Sequence, residues 1–219
     1  MRRVLPAAAA LLLLAACKVD TTVDVELGAG GTGRIRATVV LDREAATRVP
    51  DLGRQLRTDD LRAAGWLVEG PEKTDGGGVR IEAVKRFRTP AEATRVIEEL
   101  AGPDGPFRHF QLERDRSFLR TKTAFSGRVE LGPGLEVFSD DDLRERLGGS
   151  AFGVDPAAFT FTVVARLPGA EPRMWHPILG ERLELTATAE QWNVRTIVSA
   201  AVSALAAVAL LVVLLRRRR

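Results

Sequence analysis

Residues 19–27, Val-Asp-Thr-Thr-Val-Asp-Val-Glu-Leu, and residues 34–41, Arg-Ile-Arg-Ala-Thr-Val-Val-Leu, decide how this chain folds. In the first run Val19, Thr21, Val23, Val25 and Leu27 alternate with Asp20, Thr22, Asp24 and Glu26. In the second, Ile35, Ala37, Val39 and Leu41 alternate with Arg34, Arg36 and Thr38. Side chains point to opposite faces along a strand, so each run has one apolar and one polar face. Joined by a short glycine-rich link, the two predict a β-hairpin. Acids outside one strand and arginines outside its neighbour are placed to pair across it.

The link contains Gly28, Gly30 and Gly33, which spell the dinucleotide fingerprint G-x-G-x-x-G. That motif needs a helix next, whose N-terminus holds the pyrophosphate. Here a strand pattern follows instead. The link is a turn.

Beyond the hairpin, Asp42 caps a helical segment from Arg43 to about Val49, and Thr58 begins a short one ending at Gly65. Residues 66–68 and 79–87 predict a second hairpin around Asp75-Gly76-Gly77-Gly78. Thr89-Pro90-Ala91-Glu92 is a capping box with proline at the first helical position. Its helix runs to about Ala101, with Ala93, Val96, Ile97 and Leu100 as the apolar face. Strands are expected at 107–120 and 122–131, a helix from the Ser139 cap to Leu147, and strands at 159–167 and 182–188. Strands arriving in hairpins with helices interspersed predict an α+β fold with an antiparallel, hairpin-rich sheet. Met174-Trp175-His176-Pro177 reads as a loop between prolines. Its tryptophan either inserts at a membrane interface, rims a lipid site, or folds onto the end of the domain.

Two apolar runs bracket this domain. Arg2 and Arg3 precede an uncharged stretch from Val4 to Ala16, too short to span a bilayer but fit for a secretory signal. Leu14-Ala15-Ala16-Cys17 forms a lipobox, in which the thiol of Cys17 is acylated. At the other end Thr196 to Leu215 is uncharged and, at 1.5 Å per residue, matches the roughly 30 Å of bilayer hydrocarbon. A buried soluble helix is the competing reading of that run, but such helices rarely extend so far without a polar face. Trp192 stands where an interface anchor belongs, and Arg216, Arg217, Arg218 and Arg219 follow on the cytoplasmic side under the positive-inside rule.

The expected organisation is therefore a signal peptide (1–16), an extracytoplasmic α+β domain (17–190), juxtamembrane residues with one transmembrane helix (191–215) and a basic cytoplasmic tail (216–219). The expected location is the cell membrane, with the chain held by lipid at Cys17 and by the C-terminal helix. Both anchors would hold the ends of the domain against one outer leaflet.

Charge supports this division. The chain has 219 residues and a formal charge of +3, but six of its 32 basic residues lie in the two terminal runs. The remainder holds 26 basic against 29 acidic residues and is slightly acidic. Nucleic acid is not an expected partner. One cysteine and two histidines, His109 and His176, make neither a disulfide nor a zinc site, and no metal or cofactor is expected. The run Asp140-Asp141-Asp142 follows a capping serine, where carboxylates complement a helix dipole. No nucleophile–base or phosphate-loop pattern occurs, so the chain does not read as an enzyme.

The lipobox Leu14-Ala15-Ala16-Cys17, the Cys17-Lys18-Val19-Asp20 opening, the size of the α+β domain and the terminal span with its arginines resemble the LppM family of actinobacterial lipoproteins. The resemblance covers essentially the whole chain. It implies a surface-exposed envelope lipoprotein whose domain is suspected of binding lipids or glycolipids, and it brings no binding residues with it. Trp66 and Trp175 are the sequence's own candidates for ligand contact. The alternative is an interaction or assembly factor, acting through the ectodomain or the small-residue spacing Ser199–Ser203–Ala207; its protein partner is unknown. A third reading, an envelope hydrolase, requires a polar pocket that joins distant residues.

Overall fold

The computed structural model describes residues 18–48, 58–102, 105–131 and 159–217. The expected helix at 139–147 and the run Asp140-Asp141-Asp142 lie outside them. β1 (Val19–Leu27) and β2 (Gly33–Leu41) pair antiparallel, with Val25 opposite Ile35 and Glu26 opposite Arg34. The expected cross-strand charge pairing holds at one rung, where Arg34 and Glu26 approach to 2.7 Å. The next acid and arginine also turn outward, to the flanking strands: Asp24 to Arg166 on one side (2.9 Å), Arg36 to Glu82 on the other (3.1 Å). A central strand has two neighbours, and its charges are shared between them.

α1 (Arg43–Arg48) is capped by Asp42, whose Oδ1 accepts from the Ala45 amide at 2.8 Å. α2 (Thr58–Ala63) ends at Gly65, which sits at a φ of +85° that L side chains avoid. β3 (Leu67–Lys73) and β4 (Val79–Phe87) form the second hairpin. β3 is longer than the sequence suggested and contains an irregularity between Glu69 and Glu72 around Pro71. A proline and a bulge suit an edge strand, where both discourage pairing with another chain. α3 (Pro90–Ala101) starts at the Thr89 cap, whose hydroxyl accepts from the Glu92 amide at 3.2 Å. Glu92 reaches back to the amide of Arg88, one residue beyond the cap, at 2.8 Å.

β5 (Phe107–Arg116) and β6 (Arg120–Glu130) make a third hairpin. β7 (Phe159–Arg166) departs from expectation, because it pairs parallel to β1, with Val23 opposite Val163. The expected all-antiparallel sheet is thus a mixed one of six strands, ordered β3-β4-β2-β1-β7-β8. Its edge strand β8 is Arg173–Trp175, where the sequence read only a loop. A second sheet, β5-β6-β9, is closed by β9 (Arg182–Trp192), which runs four residues past its expected end.

The inner faces of both sheets and the apolar face of α3 share one core. Phe107 meets Phe161 across the sheets at 5.9 Å between ring centroids, and Phe125 meets Trp175 at 6.0 Å. These contacts set the relative direction of the sheets. The beginnings of β5 and β7 share one end of the domain. At the other end, Arg114 near the close of β5 donates to the Ala29 carbonyl in the β1–β2 turn, and Gly169 after β7 lies against Gln191 of β9.

Candidate functional site

At that second end, β9 meets α4 (Val194–Arg217) with Asn193 alone between them. Trp192 is the last rung of the small sheet, opposite Arg120. Asn193 is held on every side. Its amide N–H donates to the Leu119 carbonyl (2.8 Å), its Nδ2 to the Ser117 carbonyl (2.7 Å), and its Oδ1 accepts from the Thr121 hydroxyl (2.9 Å). Its own carbonyl accepts from Ile197, closing the first turn of the helix (3.0 Å). The start of α4 is therefore fastened to the β5–β6 turn, residues 117–119. No stalk separates strand from helix, and the expected boundary at 190/191 falls inside β9.

The turn carries unusual residues. Phe118 is 64% exposed, Leu119 47% and Trp192 60%. Single exposed apolar side chains are ordinary, whereas a contiguous group on a folded end marks a contact surface. The Arg120 guanidinium lies 4.7 Å above the Trp192 ring, a cation–π arrangement. It also lies 3.6 Å from Glu190, and Arg116 and Arg195 are exposed close by in sequence. This is a pattern of rings and leucine ringed by guanidinium groups, whose apolar stems extend beside apolar surface while their charges stay in water.

α4 itself has 24 residues, about 36 Å at 1.5 Å per residue. Its described side chains are exposed from Val198 onward, and none of the candidate span is buried against the domain. Among the described residues nothing covers its apolar surface. Arg216 and Arg217 end it; Arg218 and Arg219 lie outside the described residues.

Cys17 also lies outside them. Its neighbour Lys18 leads into β1 at the end of the domain opposite Asn193, since β1 finishes at the turn that Arg114 holds. Nine strand residues, about 26 Å at ~3.3 Å per step, separate the two ends. Trp66 is 3% exposed, deep in the shared core, and its indole N–H has no hydrogen-bond partner among the described residues. Trp175 is half-buried on β8 against Phe125, so it packs as strand core and not as a loop. His109 sits exposed on the β5 irregularity at a φ of 53°, while the exposed His176 Nδ1 lies 3.1 Å from the Thr162 hydroxyl. Among the described residues no three His, Cys, Asp or Glu side chains converge as metal ligands. Arg128 is pushed above its ordinary pKa, first by its hydrogen bond to Glu184 and by that carboxylate's charge. The pair is an exposed ion pair on the outer face of the small sheet.

From the sequence Phe118 counts as a core phenylalanine inside the expected strand 107–120, whereas it stands exposed in the turn between β5 and β6; Leu119 and Asn193 were not singled out at all. The signal was present: Ser-Phe-Leu-Arg fills a tight turn with large apolar residues in place of the usual small polar ones.

Neither a scan against protein-family models nor a search of curated proteins finds a match. Among solved structures, the folded domain of LppM from Mycobacterium tuberculosis, determined by NMR, is similar at 14% sequence identity and a TM-score of 0.48. The alignment covers 83% of this chain and 94% of that one. It is a distant likeness of fold, and it assigns neither family nor function to this chain.

Proposed function

We propose that the chain is a membrane-anchored cell-envelope lipoprotein whose extracytoplasmic domain binds a lipid or glycolipid at the membrane surface. The observation that carries this reading is α4. It is an apolar helix of bilayer length, unburied among the described residues, that begins one residue after a strand of the folded domain. Left in water it would be an aggregation liability; in a bilayer its backbone is internally satisfied and its side chains are solvated by acyl chains. Acylation of Cys17 adds a second attachment. A single acyl chain binds reversibly, whereas a spanning helix is effectively permanent. The domain at the outer leaflet then meets lipid as its most abundant neighbour, and the exposed Phe118, Leu119 and Trp192 lie at the end of the domain where α4 begins.

Two measurements test the reading. Cys17→Ser should abolish acylation and leave the protein in the membrane fraction after a high-salt wash; its appearance in the medium would refute the span. For the ligand, the full chain extracted in mild detergent should retain one class of envelope lipid through gel filtration at a defined stoichiometry. Mass spectrometry showing only the bulk lipid composition would refute selective binding.

A further inference from the structure

We propose that the β5–β6 turn is a second membrane contact, with Phe118 and Leu119 inserted in the interfacial layer beside the root of α4. This deepens the proposed function and rests on its reading of α4 as a span.

Depth follows from connectivity. The uncharged run begins at Thr196, three residues after Asn193, a rise of only about 4–5 Å along a helix. The headgroup region adds about 5–8 Å to each side of a ~30 Å hydrocarbon core. If Thr196 enters the hydrocarbon, Asn193 lies within the headgroups, and residues 117–119 lie there with it, because their backbone carbonyls bond directly to Asn193. Trp192, one residue earlier, stands at the same level. The turn cannot swing away without breaking the bonds from Asn193 to Ser117, Leu119 and Thr121.

The chemistry of the surface agrees with its depth. Phe118 and Leu119 offer apolar area that the protein leaves uncovered, and an indole stacked under Arg120 is suited to the boundary between headgroups and acyl chains. Arg116, Arg120 and Arg195 flank the group and are placed to meet lipid phosphates. The surface fits a lipid bilayer because it continues, without a gap, into a helix that only a bilayer would solvate.

The test uses the full mature chain bearing Cys17→Ser, reconstituted in phosphatidylcholine–phosphatidylglycerol vesicles. An environment-sensitive fluorophore is placed on a single introduced cysteine. The sites are Phe118→Cys or Leu119→Cys at the turn, Ser203→Cys within α4, and Gly76→Cys in the β3–β4 turn at the far end of the domain. Collisional quenchers sit at shallow and deep positions of the acyl chains. The inference expects probes at 118 and 119 to be quenched at least threefold more by the shallow quencher than the probe at 76, with the probe at 203 quenched best by the deep one. Quenching at 203 with 118 and 119 as accessible to water as 76 would overturn the inference and leave the span standing. Water access at 203 as well would overturn both.

Discussion

At position 33 the chain has no room for a methyl group. A Cβ there would stand 2.0 Å from the Glu26 carbonyl oxygen and 2.3 Å from the Phe87 ring. The last glycine of the apparent nucleotide fingerprint is thus a packing residue, letting a core phenylalanine lie against the hairpin backbone. Gly33→Ala should lower stability by about 2–3 kcal/mol, an overpacking cost, seen as a fall in thermal midpoint of several degrees. Asn193→Ala removes the side-chain bonds to Ser117 and Thr121 and leaves a part-buried hydroxyl short of a partner. A loss of about 1–2 kcal/mol is expected. Amide exchange should quicken first around residues 117–121; uniform acceleration across both sheets would contradict the local role. The sequence did not single out Asn193, because an asparagine's worth lies in what faces it. The same limit applied to Trp175. Its proline-flanked surroundings suggested a loop, but the deciding neighbour, Phe125, is fifty residues away.

Elements whose partners are local were readable. Period-2 alternation located β1, β2 and β4, and the capping box placed the start of α3 at the observed residue. Thr89→Ala should cost about 1 kcal/mol, measurable in urea as a lower midpoint at unchanged slope. What alternation does not encode is the direction of a neighbour. The pattern of β7 shows which side chains face inward and is the same whether the adjoining strand is parallel or antiparallel. Its partner β1 lies some 140 residues earlier, so no turn chemistry announces the pairing. β8 escaped for a simpler reason: three residues are too few to show any period.

For the whole molecule, the charge distribution and the two apolar runs were legible in the sequence, and the second run forms the helix α4. Where the two ends of the domain lie relative to each other was not. β1 starts at one end of the domain, and α4 leaves from the other. Between Cys17 and β1 stands only Lys18, a tether of at most about 7 Å, against a strand of about 26 Å. If an acyl chain and a span share one leaflet, the domain cannot stand upright on α4; it must recline, with its strands along the plane of the membrane. Acylation would then set posture. A fluorophore at position 76 should approach labelled headgroups by about 20 Å when Cys17 is acylated and stay distant in Cys17→Ser, as energy transfer can read. Without the lipid nothing would hold the domain down beside its helix; with it, the domain would lie flat and present one broad face to whatever approaches from outside.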